Sequence, residues 1–104
     1  MKIKLTEWDA SELLETEEHI AAYLAVAFEE GDPEMIALAI GNVAKARGMA
    51  EIARKAGVSR QSLYRAFQKG GDPKLTLLVN VMNSLGMKLT AESQKVALPE
   101  TVSV

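Results

Sequence analysis

Glycine residues interrupt this sequence at short intervals, and their spacing limits the chain to short helices. Between them, apolar residues recur three and four positions apart, as on a helix with one buried face. Glycine ends such helices well because it adopts a left-handed backbone conformation without a steric penalty. The pattern therefore predicts an all-α fold of five helices, over residues 17–30, 33–47, 49–56, 59–69 and 74–85, each followed by glycine.

Four polar residues stand where a helix N-cap is expected, because their side-chain oxygens can accept hydrogen bonds from free N–H groups. They are Thr16, Asp32, Ser59 and Asp72, and each aspartate precedes a proline, which favours the first helical position. The apolar faces predict a core of Ile20, Tyr23, Leu24, Ala27, Phe28, Ile36, Ile40, Val43, Ala44, Ile52, Ala53, Ala56, Leu63, Ala66, Phe67, Leu75, Leu78, Val81, Met82 and Leu85.

The two ends of the chain carry weaker signals. Residues 6–15 predict a helical turn, and Trp8 is expected either to pack this segment onto the helices or to anchor a partner. Residues 87–92 alternate between apolar and polar types, which allows one short strand. We expect a single domain over residues 1–93, with an acidic N-terminal helical extension, followed by a flexible tail over 94–104.

The segment from residue 49 to residue 69 meets the steric demands of a helix-turn-helix. Close crossing of two helices requires a small residue on the first helix, and Ala53 fits that position. The sharp turn requires a residue that tolerates positive φ, and Gly57 follows four positions later. Val58 and Leu63 can then hold the second helix on the first. The alternative is a plain helical hairpin without a role in binding nucleic acid.

Charge is distributed unevenly along the chain, although the formal net charge is only −2. Residues 1–44 carry ten acidic and two basic residues, residues 45–74 carry two acidic and eight basic residues, and the remainder is neutral. The net charges of the first two segments are thus −8 and +6. Such asymmetry indicates a polyanion-binding segment in an otherwise acidic protein, or simply a solvated basic face.

The second helix of the helix-turn-helix presents no acidic residue to solvent. Arginine can bridge guanine O6 and N7, glutamine can bridge adenine N6 and N7, and residues near the start of this helix reach base edges. We therefore predict that the DNA bases are read by Arg60, Gln61 and Tyr64. Phosphate contacts are predicted for Ser59, Ser62, Arg65, Lys69 and Lys74.

Several of these segments resemble a known family. The five-helix layout resembles the lambda-repressor-like DNA-binding domains. Nearly the whole chain also resembles the addiction-module antidotes, the HigA-like antitoxins, most specifically in Arg47-Gly48-Met49, Gly57-Val58-Ser59-Arg60 and Leu63-Tyr64. Lys45 and Asp72 depart from the family pattern, which more often has Arg and Asn there.

The resemblance implies an antitoxin of a type II toxin–antitoxin module. Such a protein binds operator DNA as a repressor, often as a homodimer, and neutralises a small basic RelE/ParE-like toxin. The net −8 segment could meet that toxin while the +6 segment meets DNA, or it could be a solvated acidic face. For the dimer contact, residues 85–91 are favoured, because an unpaired strand can pair with its symmetry mate.

Other functional classes are disfavoured by the residues available. The sequence has no cysteine and one histidine, His19, so we expect no metal site, no cofactor and no catalytic group. The longest apolar stretch, residues 20–28, is too short to span a membrane, and we expect a cytoplasmic protein. The remaining alternatives are a transcriptional regulator without a toxin and a pure protein-interaction module.

Overall fold

A computed structural model describes residues 16–94 of the chain, and within that range five helices follow one another without a strand. The all-α prediction is therefore confirmed. The residues before 16 and after 94 lie outside the described part, and with them the predicted turn over 6–15, Trp8 and the tail. The helices are α1 (Glu17–Glu30), α2 (Pro33–Arg47), α3 (Met49–Ala56), α4 (Arg60–Ala66) and α5 (Leu75–Ser84).

Three of the four predicted N-caps form as expected. The backbone N–H of His19 donates to Thr16 Oγ1 at 3.1 Å, and that of Glu34 donates to Asp32 Oδ1 at 3.1 Å. The third cap is Ser59, whose side chain accepts a hydrogen bond from the N–H of Ser62 just before α4 begins. Asp72 does not cap α5, because Lys74 adopts the extended conformation before that helix and Asp72 lies two residues too early.

The core is built from apolar side chains alone, since no polar or charged residue between 16 and 94 is buried. Its largest fully buried members are Ile20, Ile40, Val43, Leu63 and Val81, which come from α1, α2, α4 and α5. α3 packs against α2, α4 and α5, and α1 packs against α2. The helix that carries the first half of the helix-turn-helix thus holds three neighbours together.

Two predicted core residues are exposed instead. Leu75 is 70% exposed, because it is the first residue of α5 and lies nearly two turns before the buried residues Val81 and Met82. Phe28 is 38% exposed near the end of α1. The remaining predicted core residues are buried, except for a half-buried set at the margin of the core: Tyr23, Ala27, Ile36, Ala66 and Leu78.

The strand considered for residues 87–92 is absent. No other strand lies within residues 16–94, so a strand here would leave its backbone groups unpaired. Instead, the N–H of Met87 donates to the carbonyl of Met82 at 2.8 Å, which ties the segment to the end of α5. Met87 and Leu89 pack against the core. Within the described residues, no helix is long and apolar enough to cross a lipid bilayer.

Candidate nucleic-acid interface

The turn between α3 and α4 takes only three residues. Gly57 has φ of 80°, in the left-handed region where a side chain would be strained. Its N–H donates to the carbonyl of Arg54 at 3.2 Å, and the N–H of Val58 donates to that of Ala53 at 3.0 Å. These bonds satisfy the free carbonyl groups at the end of α3 and turn the chain sharply. The predicted glycine hinge is confirmed.

Two apolar side chains and one close backbone approach hold α4 on the body of the protein. Leu63 and Phe67, four positions apart, are both buried. Opposite them, Gly41 lies in the middle of α2, and a Cβ atom there would stand 2.6 Å from the carbonyl oxygen of Phe67. This contact was missed by the sequence reasoning. The signal for it was a glycine inside a helix, where alanine would be the more stable choice.

All eight residues predicted to contact DNA are exposed on α4 or beside it. Arg60 and Tyr64 are four positions apart, as are Gln61 and Arg65, so the two pairs form neighbouring rows along the solvent side of α4. Tyr64 is 40% exposed. The three residues predicted to read bases therefore share one accessible region of the helix.

A second group of predicted residues lies on the other flank of α4. Ser62, Arg65 and Lys69 line an open depression of about 350 Å³, to which residues 70–72 also contribute. Asp72 contributes a carboxylate to this depression and reduces its positive charge. Lys74 does not line this depression; it is exposed and immediately precedes α5. The predicted phosphate contacts are therefore brought together only in part.

The two predicted serines are engaged with each other. Ser59 Oγ accepts the N–H of Ser62 at 3.0 Å and donates its own proton to Ser62 Oγ, also at 3.0 Å. The hydroxyl of Ser59 therefore already makes one hydrogen bond as acceptor and one as donor, both with Ser62. Ser62 accepts that bond and keeps its hydroxyl proton available for an incoming acceptor. Of the two hydroxyls, Ser62 is the better placed to meet a phosphate.

Lys45 is a neighbour of the interface that the sequence reasoning did not assign to it. Its Nζ lies 5.6 Å from the centroid of the Tyr64 ring, within the range of a cation–π interaction. Lys45 belongs to the last turn of α2, where positive charge also suits the helix dipole. The contact places a cation on the flank of α4 opposite the Ser62–Lys69 depression. The sequence showed only that Lys45 belongs to the basic segment over residues 45–74, and it did not show that Lys45 lies beside Tyr64.

Two bases of the same segment are paired on α3 instead. Arg54 Nη2 lies 2.6 Å from Glu51 Oε2, and Lys55 Nζ lies 3.7 Å from the same oxygen. The hydrogen bond and positive charge of Arg54 lower the pKa of Glu51 below its ordinary value, and Lys55 adds to the effect. Glu51 therefore stays ionised and offsets charge on α3, whereas α4 contains no acid at all.

Taken together, the fold and the exposed basic helix define an all-α helix-turn-helix protein. Residues 4–93 match the family described as "Probable addiction module antidote protein", and the chain belongs to this family. A protein of Haemophilus influenzae described as "Uncharacterized protein" is 36% identical over 97 residues, covering 93% of this chain and all of that protein. No solved structure matches the chain. The antidote resemblance predicted from the sequence is thus confirmed.

Proposed function

We propose that this protein is the antitoxin of a type II toxin–antitoxin module. In this role it represses its own operon by binding operator DNA through α4, and it neutralises a small basic RelE/ParE-like toxin. The observation that carries the DNA-binding part is the exposed, acid-free surface of α4 in a chain that belongs to an antidote family. The HigA-like and lambda-repressor-like assignments belong to the same proposal, and so does a cytoplasmic location.

Base readout is assigned to Arg60, Gln61 and Tyr64 on the solvent side of α4. Arg60 is a donor for guanine O6 and N7, and Gln61 can donate to N7 and accept from N6 of adenine. Tyr64 offers a hydroxyl and a ring face beside them, and Lys45 adds a cation at that ring. Phosphate contacts fall to the opposite flank, where Ser62, Arg65 and Lys69 surround an open depression, with Ser59 and Lys74 beyond it.

Homodimerisation is part of the proposal, because one recognition helix covers few base pairs and two-fold partners read half-sites about 34 Å apart. The residues 85–91 suggested by the sequence offer no strand for pairing. The exposed side of α5 is better suited, since that helix contains no charged residue and places Leu75 and Asn83 on one side with Thr76 and Asn80. Sedimentation of Leu75→Glu against the wild type tests this contact.

The toxin part of the proposal is supported by family membership and by charge. Between residues 29 and 34 the chain carries four carboxylates, and no lysine or arginine lies between residues 16 and 44, which suits a basic partner. The two partners would then use different parts of one small domain.

One experiment separates the proposal from its alternatives. The full chain is co-expressed with the product of the adjacent gene, purified, and tested for a band shift of the promoter of that gene pair. Co-purification together with a promoter shift is expected. A promoter shift without a bound partner would favour a regulator that has no toxin. A bound partner without any promoter shift would favour a pure protein-interaction module and contradict the assignment of α4.

A further inference from the structure

The corner between α1 and α2 exposes three large apolar side chains. Val26 is 65% exposed and Met35 is 50% exposed, and Phe28 lies between them in the sequence. Every residue from 26 to 35 except Ala27 is exposed. We name residues 26–35 the acidic corner. Val26 and Phe28 are two positions apart on α1 and therefore lie on different sides of that helix, and of the three only Phe28 lines the groove described below.

Four carboxylates surround these apolar residues: Glu29, Glu30, Asp32 and Glu34. None of the four forms an ion pair with another of residues 16–94. Two have a local role, because Asp32 caps α2 and Glu34 lies at the positive end of its dipole. The other two lie in the last turn of α1, where the helix dipole makes a negative charge unfavourable. Their presence at that end calls for a reason outside helix stability.

An open groove begins at the same corner. Its lining includes Phe28 and Glu29 of α1, Met82 of α5 and residues 88–94, in which Lys88 and Glu92 carry opposite charges. Its volume is about 470 Å³, enough for apolar side chains from a partner. Because Phe28 and Glu29 belong both to the groove and to the acidic corner, the two form one continuous surface.

We propose that the acidic corner and this groove are the docking surface for a basic segment of the toxin. An apolar side chain of that segment lies over Phe28 in the groove, and its lysine or arginine side chains meet the carboxylates of Glu29, Glu30 and Glu34. This inference rests on the proposed antitoxin function and assigns its toxin-binding surface. A second copy of this chain fits poorly, because two acidic corners would repel each other.

The position of the corner has a consequence for regulation. The corner is formed by α1 and the first turn of α2, and it shares no residue with α4. Under this inference the toxin and operator DNA contact separate surfaces of one chain. A complex that contains all three components is expected in a gel-shift experiment when the toxin is added to the protein on its promoter.

Two charge reversals test the surface under matched conditions. Glu34 is the second residue of α2, Glu18 is the second residue of α1, and both are exposed. A lysine at either position would place a positive charge at the positive end of a helix dipole, so the two substitutions should destabilise their helices by similar amounts. Affinity of the full chain for the purified product of the adjacent gene is measured by calorimetry. We expect Glu34→Lys to weaken binding by about tenfold or more and Glu18→Lys to change it by less than about threefold. Phe28→Ser, which removes the apolar side chain from the groove, should weaken binding as well.

The outcomes distinguish this inference from the proposed function. If the wild type binds the neighbouring product and the corner variants bind it equally well, the docking surface is wrong while the antitoxin function stands. If the wild type does not bind that product, the toxin role itself fails. Thermal unfolding and promoter binding of each variant show that a loss of partner affinity does not come from a damaged fold.

Discussion

The two ends of α2 lie in opposite charge environments. Its first turn belongs to the acidic corner, and its last turn carries Lys45 beside Tyr64. The helix has 15 residues, so the two ends are about 22 Å apart. That distance exceeds two Debye lengths, which are about 8 Å each at physiological ionic strength. The two surfaces therefore do not neutralise each other, and a net charge of −2 conceals two strongly charged regions.

α3 and α4 also differ in the charge that they present to solvent, although they are adjacent in the fold. Both contribute bases to the same segment of the sequence, but Glu51 pairs with Arg54 and Lys55 on α3. α4 itself carries no carboxylate beside Arg60 and Arg65, and the carboxylate near Arg65 is that of Asp72, beyond the end of the helix. Exposed ion pairs of this kind add little stability, so their main effect is on the charge that the surface presents. The net charge of a segment does not show which helix can attract a phosphate backbone.

The largest effect on stability is expected from a substitution in the core, because the acidic corner and the surface of α4 both depend on that core for their positions. Leu63 is fully buried and holds α4 on α3, so Leu63→Ala should lower the free energy of unfolding by about 2–5 kcal/mol. DNA binding and partner binding should be lost together near the new unfolding midpoint. Denaturant unfolding checks the change, with Gln61→Ala on the exposed side of α4 as a control that should shift it by less than about 0.5 kcal/mol. Equal stability of both variants would contradict the packing of α4 described above.

Local chemistry made much of this fold predictable, whereas contacts distant in sequence were not. The caps at Thr16 and Ser59 and the hinge at Gly57 depend on neighbours within four residues, so the sequence was sufficient. The approach of Gly41 to Phe67 joins residues far apart in sequence, and no periodicity reveals it. Leu75 was wrongly expected in the core, because its spacing from Leu78 fits a buried face and only the packing of α5 decides otherwise.

The candidate site shows the same division. Exposure of Arg60 and Gln61 followed from the helical period, since the buried Leu63 fixes which side of α4 faces solvent. The proximity of Lys45 to Tyr64 joins α2 to α4 and needed the structure. The pairing of Arg54 with Glu51 was within reach of the sequence, because oppositely charged residues three positions apart are neighbours on a helix.

A smaller effect, confined to one surface, is expected from the base-reading residues. Arg60→Ala and Gln61→Ala should each weaken promoter binding by about 1–3 kcal/mol and relax the sequence preference at one base pair. Binding of the adjacent gene product should stay unchanged. Arg54→Ala is a matched control, because that arginine is paired with Glu51 on α3. Gel shifts on the promoter and on scrambled DNA measure both quantities, and equal losses for Arg54 and Arg60 would break the contrast between α3 and α4.

A change in salt dependence rather than in sequence preference is expected from Lys69. Lys69→Ala should weaken binding to promoter and scrambled DNA alike, and the slope of log K against log salt should fall by about 0.9. Lys88→Ala offers a matched control for DNA binding, since Lys88 is exposed in the lining of the groove, which includes no residue of α4. Titrations at several salt concentrations test the prediction. An unchanged slope for Lys69→Ala would remove this residue from the set of phosphate contacts.

The smallest effect is expected from Glu51→Gln. It tests whether the ion pairs on α3 are the reason that α3 and α4 present different charge to DNA. Arg54 holds the pKa of Glu51 below its ordinary value of 4.5, so the ionised carboxylate stabilises the fold at pH above that value. This contribution is lost as the pH falls through the lowered pKa, and the small stability advantage of the wild type over Glu51→Gln should disappear with it. At neutral pH the same substitution frees the charges of Arg54 and Lys55, which should raise affinity for scrambled DNA and steepen its salt dependence. If neither quantity changes, the ion pairs of α3 do not set its charge toward DNA, and position alone distinguishes the two helices.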